Sequence, residues 1–345
     1  MPVDSITHIN FDELKRKAIS QPLVKHIYTA DPSAHVFNGK IYIYPSHDVD
    51  AGDAFDDLGS HFAMEDYHVL SMDSPTSEAV DNGLALHVND VPWAAKQMWA
   101  PDAAEKDGKY YLFFPAKDHE GIFRIGVAVS DSPVGSFTPQ PQAIKNSFSI
   151  DPAVYKDEDG TYYMYFGGIW GGQLQRWRHG TFNAAEPENP YAFLPGENEP
   201  ALCPKIAKLT DDLLEFAEAP KDVVITDENG EPLLQGDNDR RFFEASWVHK
   251  YNGKYYFSYS TGDTHYLCYA IGDNPYGPFK YAGKILEPVV GWTSHHSICA
   301  FGDKWYLFYH DSSLSKGVTH LRSVKVTELV HDENGFIQTI KPYND

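Results

Sequence analysis

Three acidic residues stand at corresponding places along the chain, each leading into a short apolar run. They are Asp31 in Ala-Asp-Pro-Ser, Asp151 in Ile-Asp-Pro-Ala and Glu244 in Phe-Glu-Ala-Ser. A lone Asp-Pro is ordinarily a turn or the start of a strand. Three acids in step with a repeat invite a chemical reading. Carboxylates crowded into an aromatic-lined pocket separate in pKa, so that one stays protonated while another is ionised. Hydrolysis of a glycosidic bond needs that division of labour, with an acid for the leaving oxygen and a base for water. In two further repeats the corresponding places fall near Pro101-Asp102 and at His295 of His-His-Ser.

The elements that must bring these residues together are written in the same repeat. A turn followed by an aromatic strand occurs as Asn38-Gly39-Lys40, Asp107-Gly108-Lys109, Asp159-Gly160-Thr161, Asn252-Gly253-Lys254 and Gly302-Asp303-Lys304. Asn-Gly and Asp-Gly between strands are strong hairpin signals, because both turn residues take positive φ. The Lys or Thr positions are 69, 52, 93 and 50 residues apart. A unit of about 50 residues matches a four-stranded propeller blade, which must be repeated around a ring to bury its faces. The spacing leaves two insertions, around residues 47–95 and 171–240, and the second, with Pro187, Pro190, Pro195 and Pro200, reads as long loops. Helical periodicity is confined to Phe11–Ser20, with Asn10 as N-cap. The expected architecture is all-β: an N-terminal extension over residues 1–26 and a five-bladed β-propeller over 27–345.

Composition narrows the partners. With 28 Lys+Arg against 49 Asp+Glu the formal charge is −21, which disfavours phosphate backbones and anionic lipid, so neither nucleic acid nor membrane is expected. Aromatic residues make up 14% of the chain, and such surface suits a neutral, hydroxyl-rich ligand such as a sugar. Cys203, Cys268 and Cys299 form no CxxC pair and read as buried free thiols. The first residues show no basic segment followed by an apolar run, so a cytoplasmic location is the default expectation. Nothing in the composition speaks to oligomeric state.

Together, Asp31-Pro32-Ser33, Trp99-Ala100-Pro101-Asp102, Ser149-Ile150-Asp151-Pro152, Phe243-Glu244-Ala245-Ser246, His295-His296-Ser297-Ile298 and Leu321-Arg322-Ser323-Val324 resemble glycoside hydrolase family 43 over roughly residues 27–340. The resemblance implies a five-bladed propeller that hydrolyses xylosidic or arabinofuranosidic bonds with inversion. It implies Asp31 as general base, Glu244 as general acid and Asp151 as the residue that orients the acid and raises its pKa. It also marks His295 for a calcium ion, held mostly through water in the central channel. A hydrogen-bonded channel histidine without metal stays open, since hard Ca²⁺ prefers oxygen. No organic cofactor is expected.

Trp99, Arg322 and His296 are the expected substrate contacts, with Arg322 alternatively pairing with a catalytic carboxylate. Asp48, Asp50, Asp53, Asp56 and Asp57 read as a solvated acidic loop near the site mouth, since their spacing lacks the glycine and glutamate of a calcium loop. Trp170-Gly171-Gly172 is expected to begin a loop that shapes the pocket. Neither a phosphate-binding GxxxxGK[ST] nor a GxSxG elbow occurs. The resulting expectation is an exo-acting β-D-xylosidase with α-L-arabinofuranosidase activity on xylo- or arabino-oligosaccharides. The runner-up is an arabinofuranosidase that debranches arabinan or arabinoxylan. From other classes come a non-catalytic sugar-binding propeller and a scaffold for protein partners.

Overall fold

A computed structural model describes residues 9–345. Five largely antiparallel sheets follow one another around a ring. Blade I is Tyr28–Phe37, Lys40–Asp48, Asp66–Met72 and Val80–His87; blade II is Asp102–Lys106, Lys109–Asp118, Phe123–Ser130 and Thr138–Pro139. Blade III is Ala153–Lys156, Tyr162–Phe166, Lys205–Lys208 and Lys221–Asp222. Blade IV is Glu244–Tyr251, Lys254–Ser260, Leu267–Gly272 and Phe279–Leu286, and blade V is His296–Phe301, Lys304–Asp311 and Ser323–Leu329. The all-β, five-bladed propeller read from the repeat is therefore the observed fold.

Each repeat hairpin joins the first and second strands of a blade. Asn38/Gly39, Asp107/Gly108 and Asn252/Gly253 place both turn residues at positive φ, between 47° and 78°, as a right-twisted two-residue hairpin requires. The other two differ from the expectation. At Gly302-Asp303 only the glycine has positive φ, 63°, the pattern in which the first central residue alone turns left-handed. At Asp159-Gly160 the connection is longer, because Lys156 pairs with Tyr162.

The second strands are apolar on both faces, and this holds the ring together. Along Lys109–Asp118, Tyr110, Leu112, Phe114 and Ala116 pack with Tyr44 and Tyr67 of blade I. Tyr111 and Phe113 point the other way, against Val154, Tyr162 and Met164 of blade III. Side chains alternate with period two, so a strand between two blades buries aromatics toward each of them.

Both insertions depart from the sequence reading. Residues 47–95 hold the two outer strands of blade I, and residues 171–240 hold the two outer strands of blade III as well as Ile225–Thr226, which adds to blade IV. The repeat signal marks only the inner hairpin, so ordinary outer strands fall within the two spans read as insertions, the second of them read as long loops.

The helix spans Phe11–Lys17, where Asn10 Oδ1 accepts from the Glu13 N–H at 3.1 Å. It ends before Ser20 because Ala18 is extended and bridges to Tyr343. Beyond it the chain runs beside blade V, with the Leu23 N–H donating to Val324 O at 2.9 Å. No helix among the described residues is long and apolar enough to cross a membrane.

Candidate active site

All three acids open into one pocket at the leading ends of the inner strands, and each sits where the backbone leaves regular strand geometry. Asp31 has φ 50° inside a register shift between Ala30 and Ser33. Asp151 has φ 57°, two residues before its strand, and Glu244 precedes Ala245 at φ 67° within a second register shift. Aspartate tolerates the left-handed region better than most residues. A bulge re-aims a side chain at a strand end, which here turns Asp31 and Glu244 into the pocket.

Asp31 is buried and ringed by donors. Arg322 Nη1 donates to Oδ1 at 3.0 Å, Ser46 Oγ donates to Oδ2 at 2.7 Å, and His295 Nδ1 lies 3.4 Å from Oδ1. Its backbone N–H donates to His310 Nδ1 at 3.0 Å. Burial alone would raise its pKa, but Arg322 and the bond from His295 hold it far below the ordinary range. Asp31 is ionised at any working pH. His310 is pushed down to about 3 by burial and by Arg322, so it stays neutral.

Glu244 has the opposite environment. Its carboxyl makes no hydrogen bond among the described residues, while Phe243 and Ile150 line the pocket beside it. Burial, then the charges of Asp151 and Asp31, lift its pKa well above the ordinary range, with partial relief from Arg322. Asp151 Oδ2 accepts the Ala245 N–H at 2.9 Å, tying it to the residue after Glu244. Burial raises Asp151 to about 6, against the pull of the His295 charge. One carboxylate is thus kept ionised and one kept protonated in the same cavity.

Arg322 takes the second of its two expected roles. Its Nε and Nη2 donate to Asp48 at 2.8 and 2.7 Å, and Nη1 donates to Asp31 and to Thr293 Oγ1. Asp48 is 3% exposed; the reading of it as part of a solvated loop is corrected. It is the last residue of its strand and points inward, while Asp50, Asp53, Asp56 and Asp57 lie beyond the strand's end. Nothing in the local pattern distinguished it from the acids that follow.

Trp99 lines the pocket with its Nε1 donating to Phe62 O at 2.8 Å. His296 does not reach the pocket. It is fully buried with Nε2 and Ser258 Oγ at 2.6 Å, since neighbouring strand residues face opposite ways and His295 takes the pocket side. Its expected substrate contact is therefore corrected to a packing role between blades. Asp102 is likewise structural: it bonds His35 Nε2 at 2.6 Å and accepts the Val154 N–H at 2.6 Å, joining three blades.

The sequence reading missed Trp292, Phe62, Ile169 and Thr293 on the pocket wall. Trp292-Thr293 lies just upstream of His295, and that proximity was the one available signal. Trp170 and Gly171 do shape the pocket as expected. Two loops meet over it: the Tyr191 hydroxyl donates to Asp57, and Trp170 stands 4.9 Å from Tyr191 and 5.7 Å from Trp292, centroid to centroid. A Cβ on Gly171 would lie 2.5 Å from Leu58 O, so this contact requires glycine.

A propeller that holds an ionised and a protonated carboxyl in one aromatic-walled pocket is a glycoside-hydrolysing enzyme in fold and site. The model for Glycosyl hydrolases family 43 matches residues 27–337, and the chain belongs to that family. It is 63% identical to Xylosidase/arabinosidase 43A of Humicola insolens, over 93% of this chain and 99% of that protein. To a xylosidase/arabinosidase of Bacteroides ovatus it is 59% identical, over 92% of this chain and 97% of the relative. Among solved structures, it is similar to a family 43 β-xylosidase/α-arabinofuranosidase from a compost microbial metagenome, solved with xylotriose in a calcium-free form. There the TM-score is 0.93 at 64% identity, covering 96% of this chain and 99% of the other. A family 43 enzyme of Xanthomonas citri complexed with xylose gives 0.91 at 56% identity, covering 97% of each chain.

Proposed function

We propose that this protein is an inverting, exo-acting β-D-xylosidase with α-L-arabinofuranosidase activity, releasing terminal pentoses from xylo- and arabino-oligosaccharides. The observation that carries this reading is the convergence on one pocket of Asp31, which accepts from Arg322 and Ser46, and Glu244, which stands among apolar walls without such a donor among the described residues. Asp31 takes a proton from the attacking water while Glu244 gives its proton to the leaving oxygen as the bond from the anomeric carbon breaks. Asp151 positions the acid through Ala245 and favours its protonated form. The joined loops around Asp57 and Tyr191 support attack on chain ends, because a walled pocket admits a terminal sugar more readily than the middle of a chain. The names of the relatives support pentose substrates.

Calcium fits this site only as a largely hydrated ion. His295 offers one ring nitrogen beside Asp31, whereas Ca²⁺ takes six to eight oxygens, so water would supply most of its shell. Bound there, the ion would add positive charge to the carboxylate centre.

The test compares wild type with Glu244→Gln on xylobiose and arabino-oligosaccharides, reading turnover and, by NMR, the anomer first released. The expected result is inverted product from wild type. The variant should lose about 10²–10⁴-fold in kcat while still binding sugar by calorimetry. Unchanged turnover in the variant, or retained configuration, refutes the assignment.

A further inference from the structure

Away from the pocket, two strands of blade I bring together a second cluster of titratable side chains. His47 lies on Lys40–Asp48, and Asp66 and His68 lie on Asp66–Met72. One ligand atom from each falls within 4.8 Å of the other two. The imidazole centroids are 4.5 Å apart. Asp66 Oδ1 is 2.5 Å from His47 Nδ1, and its Oδ2 is 3.9 Å from His68 Nε2. All three side chains are 17–18% exposed, so an ion could enter from solvent.

A supporting layer stands behind His68. Asp81 Oδ1 accepts from His68 Nδ1 at 2.9 Å and from the Gly83 N–H at 2.8 Å, and Asp81 Oδ2 bonds His26 Nε2 at 2.8 Å. This places the His68 proton on Nδ1 and leaves the Nε2 lone pair toward Asp66. A carboxylate behind an imidazole is the arrangement that orients histidine ligands in metal sites. Ser46 and Asp48 on either side of His47 turn toward Asp31 and Arg322, so alternation along the strand puts the cluster on the face away from the catalytic centre.

We propose that His47, Asp66 and His68 form a binding site for a divalent transition-metal ion of the zinc type, clamping the second and third strands of blade I. Two imidazoles and a carboxylate suit zinc, nickel or copper and are poorly matched to calcium. Zinc with bonds of about 2.0–2.1 Å spaces its tetrahedral ligands about 3.3 Å apart. The widest pair must therefore close by no more than about 1.5 Å, within reach of side-chain rotation. The proton now shared between His47 Nδ1 and Asp66 leaves that nitrogen on binding. Water completes the coordination.

The test titrates chelator-treated, full-length protein with zinc chloride by calorimetry, alongside His68→Gln, His47→Gln and Asp81→Asn, each checked for fold by circular dichroism. Wild type is expected to take one zinc at this site, to melt at higher temperature with zinc, and to keep it against millimolar calcium. His68→Gln and His47→Gln should each weaken that binding at least tenfold. Asp81, a positioning residue, should give a 10–100-fold loss as asparagine. X-ray absorption of the loaded wild type should show two imidazoles, a readout that holds even if a variant fails to fold. No zinc uptake by wild type, full affinity in both histidine variants, or a spectrum without imidazole overturns the proposal.

Discussion

Replacing Asp48 with asparagine tests the electrostatic frame beneath the proposed base. Asp48 accepts two side-chain bonds from Arg322, at 2.8 and 2.7 Å, and the Arg322 backbone N–H at 2.9 Å. Arg322 is 2% exposed, Asp48 3% and Asp31 5%. One guanidinium thus serves two buried carboxylates. Asparagine removes one negative charge and sets an amide N–H₂ against the guanidinium, leaving the cation shared with Asp31 alone. Breaking a buried pair by removing one partner costs about 3–5 kcal/mol. With an unfolding entropy of about 2.1 cal/mol/K per residue, a chain of this size should lose about 4–7 °C in Tm. Arg322 Nη1 would also lose the anchoring of its fork and hold Asp31 less firmly, so kcat should fall by about tenfold or more. Scanning calorimetry and steady-state kinetics on a xylo-oligosaccharide read the two effects, with Asp53→Asn as the exposed-acid control, expected within about 0.5 kcal/mol of wild type. If Asp48→Asn melts within about 1 °C of wild type and turns over normally, the buried network does not govern this site and the reasoning fails.

Activity needs Asp31 ionised and Glu244 protonated, so rates should persist through acid and neutral pH and fall as Glu244 loses its proton at higher pH. Asp151→Asn should move the alkaline limb to lower pH, since a charge that lifts Glu244 is gone; an unmoved alkaline limb in the pH–kcat/KM profile contradicts the coupling. Gly171→Ala should separate the loops that meet at Leu58, raising KM severalfold with a smaller change in kcat, and equal KM values would show that this contact does not shape the pocket.

The ring and the acids are legible in the chain's local chemistry. A hairpin turn followed by an aromatic strand is local chemistry, visible five times over, and Asp31, Asp151 and Glu244 are legible because each keeps its place against that turn. Which residues share a strand face also follows from alternation alone. Tertiary structure decided which face meets which partner. Asp48 looked like any acid in a polar run until the fold set it against Arg322, 274 positions away. His295 and His296 are adjacent and chemically identical, yet one lines the pocket and the other packs against Ser258. The residues of 171–240 resembled loops because outer strands pair with a neighbour whose position only ring closure supplies. A charge's energy depends on how far water is excluded from it and on which opposite charge stands beside it, and distant parts of the chain set both.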